Sequence, residues 1–165
     1  MLRQHLDAFA WDYKEMKMVH PLVCTHHIYI KGGCKTMCQP KKIMNLSLKY
    51  IVKEEIHNWL DAWFIYPISN SEWVSPLVTI PKKNGKWRIC VDYMELNKAK
   101  NKYHFPLPFI DQFLDGLARK KFFSFLDSFS GYNQIQIRLA DQEKTTFTCP
   151  CGTFSYRVFP LGLCN

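Results

Sequence analysis

Residues 77–92 constrain the fold more than any other stretch of the chain. Leu77-Val78-Thr79-Ile80 and Trp87-Arg88-Ile89-Cys90-Val91-Asp92 are runs rich in β-branched and aromatic residues. Between them, Pro81-Lys82-Lys83-Asn84-Gly85-Lys86 holds an Asn-Gly bend, a pair whose backbone tolerates the positive φ of a tight turn joining antiparallel strands. A chain organised round such a hairpin must contain antiparallel sheet. Pro81 cannot donate to a ladder and so belongs at a strand end or an edge. Lys82, Lys83, Lys86 and Arg88 then cluster at the tip and flank of a projecting ribbon, with Trp87 beside them. Two readings stay open on these residues alone. The ribbon could grip phosphates and stack Trp87 on a base, or it could be a solvated edge protected by charge.

The stretches on either side predict an α+β chain with mostly antiparallel pairing. Asn45 or Ser47 is placed to cap a helix in which Ile51, Val52, Glu55, Ile56, Trp59, Leu60 and Trp63 fall at spacings of three and four on one face. Core packing is the expected role of both Trp59 and Trp63. Pro67 ends any continuation. Ile110, Phe113, Leu114 and Leu117 describe a second, short amphipathic helix. Phe122 to Leu126 is an almost unbroken apolar run, expected to be a central buried strand. Gln134 to Leu139 alternates as a strand should, and Asp141 to Lys144 reads as a polar connection. Two further strands are expected around Thr145–Thr148 and Phe154–Val158. Before residue 46 the pattern weakens. His26 to Ile30 suggests a short strand and Gly32-Gly33 a turn. Residues 1–45 therefore read as an extended lead-in and 46–165 as the main domain.

Asp127 is the informative single residue. A carboxylate at the end of a buried strand is costly unless a cation or hydrogen bonds stabilise it. A divalent metal, a nearby lysine or a turn that caps it would each serve; a turn or cap is the commoner role of an Asp after a strand, and the spacing alone does not overturn it.

Charge and cysteine content narrow the class. Lys plus Arg is 22 and Asp plus Glu 14, a formal net charge of +8, which favours a polyanionic partner. No apolar stretch reaches the roughly 18 residues of a membrane helix, and Met1 to His5 begins no apolar signal region. The expectation is an intracellular protein, cytoplasmic or nuclear, with no membrane partner. The seven cysteines are an odd count and argue against a disulfide framework. A zinc site on Cys34, Cys38 and His26 or His27 lacks the second tight pair that structural zinc usually has, and Cys149-Pro150-Cys151 is too tight for the usual chelate.

The order of motifs is more specific than any of them alone. Trp73-Val74-Ser75-Pro76, Lys82 to Arg88, Val91-Asp92-Tyr93 with Leu96-Asn97-Lys98, and Phe105-Pro106-Leu107-Pro108 follow one another. Phe125-Leu126-Asp127, Ser130 to Ile135, Lys144-Thr145-Thr146-Phe147 and Pro160-Leu161-Gly162-Leu163 come next. In this series the chain resembles the first half of the reverse transcriptase domain in the Pol polyprotein of gypsy-type long-terminal-repeat retrotransposons, from Ile51 to Asn165 and more weakly before. The resemblance implies the fingers and partial palm of a right-hand polymerase, truncated relative to the whole domain.

It also implies roles. Lys82, Lys83 and Arg88 would meet the triphosphate of an incoming nucleotide, where cations neutralise charge on a transferring phosphoryl group. Asp127 would be the first of three magnesium-binding aspartates, with the Ser128 backbone beside the same ion. Tyr132 would stack under the sugar and exclude a ribose 2′-hydroxyl. Leu161 would shape the nucleotide pocket. Trp87, Asn97, Lys98 and Gly162 would lie along an RNA or DNA template–primer. Two magnesium ions would serve template-directed addition of deoxynucleotides (dNTPs) in the parent enzyme. The second and third aspartates of the family lie in a Tyr-x-Asp-Asp turn, and the 165 residues contain no Asp-Asp pair. The chain is therefore expected not to polymerise DNA alone. Met94, where an Arg is usual, and Trp63, where a helix-closing Gly is usual, depart from the family, as does Leu161, which replaces a usual Phe. The alternative is a non-catalytic nucleic-acid-binding remnant of a decayed element.

Overall fold

The computed structural model describes residues 5, 9–83, 85–103, 109–118, 120–123 and 130–164. The expectations for Asn84, the Phe105–Pro108 stretch, Ser124 to Leu126, Asp127 and Ser128 lie outside the described residues.

Helix α1, Leu46–Asp61, starts where the Asn45 side chain accepts from the Leu48 amide at 2.9 Å, satisfying one of the donors a helix N-terminus leaves open. It buries Val52, Ile56 and Trp59. Trp59 packs edge-on to Phe147 and tilted on Tyr156, with ring centroids 6.3 Å and 5.6 Å away. Burial of each such side chain stabilises the fold by roughly 1.5–3 kcal/mol. The helix closes in a Schellman arrangement. The Phe64 amide bonds the Trp59 carbonyl at 2.9 Å and the Trp63 amide that of Leu60 at 3.0 Å. Trp63 takes the left-handed position with φ 61°, where glycine is usual. That turn throws its ring outward: Trp63 is 71% exposed, against the expectation that it joins the core. Its face meets the Arg157 guanidinium at 5.6 Å, which also lies 4.6 Å from the Tyr66 ring.

The hairpin forms as expected. Strands β3, Ser75–Pro81, and β4, Trp87–Val91, pair antiparallel from Leu77↔Val91 to Pro81↔Trp87. Its root is buried and its tip exposed. Strand β2, Ile65–Pro67, and the hairpin of β6, Phe147–Cys149, and β7, Gly152–Tyr156, complete a sheet ordered β2-β7-β6-β3-β4. All its neighbours pair antiparallel except β3 and β6. The Lys144-Thr145-Thr146-Phe147 stretch is internal wiring. The Thr145 hydroxyl donates to Gln142 O at 2.7 Å and accepts from the Tyr156 amide at 2.9 Å. Thr146 and Ser155 share a hydrogen bond at 2.6 Å. Tyr93, fully buried after β4, donates its hydroxyl proton to the Thr145 carbonyl at 2.8 Å.

Other expectations are corrected. Only Gln136–Ile137 (β5) of the alternating stretch is strand, because Leu139–Gln142 turns into a short helix that leaves Leu139 79% exposed. Asp141 and Gln142 are buried rather than part of a solvated connection. The reason is a network that pins the N-terminal segment. Asp141 accepts from Lys144 at 2.5 Å and from the Ile28 amide at 3.2 Å, and Lys144 donates to the Ile28 carbonyl at 3.0 Å. Phe122, 92% exposed, and Phe123, 49% exposed, are not in a strand. Helix α3, Ile110–Leu117, forms as expected, but its apolar face is open, with Ile110, Phe113 and Leu114 exposed.

The N-terminal segment is laid against this body. Strand β1, Thr25–His26, pairs parallel with β5, and Ile28 and Met16 are buried in the common core. Helix α2, Met94–Ala99, ends at Lys100, which is buried with its ammonium on His26 Nε2 at 2.8 Å and on the Cys164 carbonyl. No helix among the described residues is long and apolar enough to cross a membrane.

Candidate functional site

A cavity of about 400 Å³ opens between the root of the hairpin, α1, the 3-10 turn Gly131–Gln134 and the loop at 160–163. Lys82, Arg88, Tyr132 and Leu161, chosen from sequence as nucleotide contacts, all line it. The hairpin supplies the two cations. The Lys82 amide donates to the Lys86 carbonyl at 2.7 Å, and Gly85, at φ 77°, turns the ribbon so that Arg88 returns beside Lys82. Cys90 lines the same wall. Burial pushes its thiol pKa up, while Arg88 and Lys82 pull the other way.

Tyr132 is delivered by a strained entry. Ser130 is left-handed, at φ 44° and ψ 40°, and the next four residues wind a 3-10 turn in which the Asn133 amide bonds Ser130 O at 2.8 Å. A non-glycine residue in this region persists only where its surroundings over-determine it. Opposite, Gly162 has φ 96°, and a Cβ there would sit 3.2 Å from the Val91 carbonyl. The loop therefore hugs the end of β4 and holds Leu161 at the rim. Asn97 fastens it from α2: its Nδ2 donates to Gly162 O at 2.8 Å and its Oδ1 accepts from the Cys164 amide at 2.9 Å.

The other candidates lie apart. Lys83 sits on a shallow surface with Ile80, Pro81, Lys82 and Arg88, outside the main cavity. Trp87 faces Pro81 across the ladder at the hairpin tip. Lys98 is on the surface, paired with Glu95 at 2.7 Å. Asp127 and Ser128 are outside the described residues. Among the described residues no three His, Cys, Asp or Glu side chains come together to hold a metal. They do not make up a magnesium site. Met94 is exposed at the start of α2.

Sequence reasoning missed Glu55, Tyr13 and Ser130 as parts of the same wall. Glu55 did carry a signal, as the one charged residue within the apolar stripe of α1. Burial first, then the charge of Glu55 and the nearness of Tyr132, raise the Tyr13 pKa, so its hydroxyl stays neutral.

Residues 80–165 match the family described as reverse transcriptase (RNA-dependent DNA polymerase). The retrovirus-related Pol polyprotein from transposon 412 of Drosophila melanogaster is 40% identical over 101 residues, covering 58% of this chain and 8% of that protein. The transposon Tf2-3 polyprotein of Schizosaccharomyces pombe is 41% identical over 88 residues, covering 53% of this chain and 7% of that protein. The chain thus spans less than a tenth of these relatives. Among solved structures, prototype foamy virus protease–reverse transcriptase superposes with a TM-score of 0.72 at 25% identity, over 83% of this chain and 18% of that one. The foamy viral protease–reverse transcriptase in complex with an RNA/DNA hybrid gives a TM-score of 0.72 at 23% identity, over 84% of this chain and 19% of that one. The α+β fold, with its mostly antiparallel sheet, is that of reverse transcriptase fingers and partial palm. With just over half its length inside the family match and its closely similar relatives being transposon Pol polyproteins, the chain belongs to the reverse transcriptase family.

Proposed function

We propose that this chain contributes the fingers and the beginning of the palm to a gypsy-type retrotransposon reverse transcriptase, and that its cavity receives the incoming dNTP. One observation carries this reading: Lys82, Arg88, Tyr132 and Leu161, spread over some eighty residues of sequence, line a single cavity. Lys82 and Arg88 would hold the triphosphate, with Lys83 guiding it from outside. Tyr132 would meet the sugar and reject a 2′-hydroxyl, and Leu161 would bound the base. The Asn97–Gly162 clamp, with Trp87 and Lys98, would face the template–primer, as suits relatives whose structures hold an RNA/DNA hybrid or double-stranded DNA.

In the parent polyprotein, Asp127 would supply one carboxylate for divalent ions, with the Ser128 backbone beside them, and such ions lower the pKa of an attacking hydroxyl and stabilise the leaving group. Cytoplasm or nucleus is where such a parent would act. Residues 1–165 alone, with one of the three expected carboxylates, would not extend a primer. Magnesium-dependent incorporation by the purified chain would overturn that statement.

The test of the pocket is direct binding. The 165-residue chain should bind dTTP at low salt, and Arg88→Ala should weaken binding about tenfold, the loss expected for one charge-assisted phosphate contact. Equal affinity of wild type and variant removes the reading.

A further inference from the structure

A second cavity, of about 550 Å³, lies where the N-terminal segment meets the end of α2. It shares no lining residue with the first, and its size falls in the roughly 300–1,000 Å³ range of small-molecule sites. Its frame is a short antiparallel crossing. Ile30 bridges Lys100, the Lys31 amide donates to the Ala99 carbonyl at 2.9 Å, and the Asn101 amide donates to the Tyr29 carbonyl at 2.8 Å. One wall is flat and aromatic. The His27 and Tyr29 rings, two residues apart and so on one side of an extended chain, stack with centroids 5.6 Å apart and planes 10° from parallel. The Tyr29 and Thr25 hydroxyls each lie 3.3 Å from a ring nitrogen of His27 and fix its orientation. Ile135 adds apolar surface.

Lys100 lines the same cavity and is 2% exposed. The partners of its side chain are an imidazole and a carbonyl. Nζ lies 2.8 Å from His26 Nε2 and donates to the Cys164 carbonyl. The His26 ring is held edge-on to Phe159 at 4.5 Å. Asp141 acts on Lys100 only through space, because its oxygens hold Lys144 and the Ile28 amide. An ammonium buried without a counter-charge in contact is costly, and losing its proton relieves the cost. Burial accordingly lowers the Lys100 pKa, against the opposing pull of Cys164 and Asp141. Desolvated lysines are the ones that attack carbonyl carbons.

We propose that Lys100 is a covalent binding site for aromatic aldehydes, with the ligand's ring in this cavity against the His27–Tyr29 stack and its carbonyl carbon joined to Nζ as an imine. The ammonium first gives a proton to water. The amine lone pair then forms the C–N bond, and the carbonyl oxygen takes up a proton. That oxygen leaves as water while the nitrogen, shedding its remaining protons, closes the C=N bond. His26 Nε2 is near enough to pass protons between nitrogen and oxygen. Amine and aldehyde give imine and water, with no oxidant or reductant. The site is independent of the nucleotide reading of the first cavity.

Trapping tests it on the 165-residue chain. The chain is treated at pH 7 with salicylaldehyde, reduced with sodium cyanoborohydride, digested and mapped by mass spectrometry. Lys102, exposed on the rim of the same cavity, is the internal control. Lys100 should be labelled about tenfold faster than Lys102, Lys98 or Lys82, since one unit of pKa is a tenfold change in free amine. Unfolding in urea should erase the preference. Labelling of Lys100 no faster than Lys102 overturns the proposal, as does a preference that survives urea, which would come from local sequence. Formaldehyde under the same reduction reads amine reactivity without a ring. A preference for Lys100 with formaldehyde but not with salicylaldehyde overturns the aromatic site. Tyr29→Ala, at an exposed side chain, should reduce the salicylaldehyde preference several-fold and leave the formaldehyde preference intact; an unchanged salicylaldehyde preference removes the stack from the site and overturns it as stated.

Discussion

Replacing Trp63 tests how the end of α1 is paid for. The left-handed region costs a non-glycine residue about 1–2 kcal/mol, and Trp63 occupies it at φ 61°. The ring recovers part of this against Arg157 at 5.6 Å, a cation–π contact worth about 0.5–1 kcal/mol at an exposed site. Little comes from burial, since the side chain is 71% exposed. Arg157 has reason to stay put without it, because Tyr66 lies nearer, at 4.6 Å. Trp63→Ala keeps the backbone cost and loses the ring contact, so it should destabilise by about 0.5–1 kcal/mol. Trp63→Gly loses the same contact but relieves the strain, offset by about 0.5–1 kcal/mol of added chain entropy in the unfolded state. The glycine variant should therefore be more stable than the alanine variant by about 1 kcal/mol, or roughly 2–4 °C in Tm for a chain of this size. Urea titrations followed by far-UV circular dichroism measure the difference without relying on tryptophan emission. Alanine equal to or better than glycine would refute the argument, since it would mean that the left-handed backbone carries no cost here.

Three further outcomes are expected. Burial, and then the Lys100 charge, depress the His26 pKa from 6.5 to about 4. The unfolded chain thus takes up a proton that the folded chain refuses, and stability should fall as pH drops from 6.5 towards 4. His26→Gln should flatten that slope in urea midpoints measured at pH 7 and pH 5. Asn97→Ala removes both bonds to the 162–164 loop and should cost about 1–3 kcal/mol, with faster proteolytic nicking near Leu161; a loop as resistant as wild type would contradict the clamp. Asp141→Asn strips the charge partner of Lys144, whose own side chain is 25% exposed, and should cost about 3 kcal/mol in the same titration.

What the sequence made legible was whatever local chemistry decides. The Asn45 cap, the Val52–Ile56–Trp59 face and the hairpin register follow from residues a few positions apart, and the ordered motifs picked out four residues that meet in the cavity. Trp63 was misread because helical spacing continues through it while the backbone does not; a left-handed residue leaves no mark on periodicity. Asp141 was misread because its partners, Ile28 and Lys144, include one from the far end of the chain. Tyr13 was invisible for the same reason. It shares a cavity wall with Glu55 and Ser130, neither of which any local pattern joins to it.

The parallel pairing of β1 with β5 carries a consequence for synthesis. Ile28 and its acceptor Asp141 are 113 residues apart. At about 5–20 residues per second of translation, the N-terminal strand leaves the ribosome roughly 6–20 s before its partner exists. During that interval Ile28 and Met16, later buried, are open to water or to other chains. The step that seats them joins parts of the chain more than a hundred residues apart, and such contacts slow folding. This makes the docking of residues 16–28 a late event that follows formation of the hairpin and α1, and the interval before it is when aggregation competes most strongly with folding.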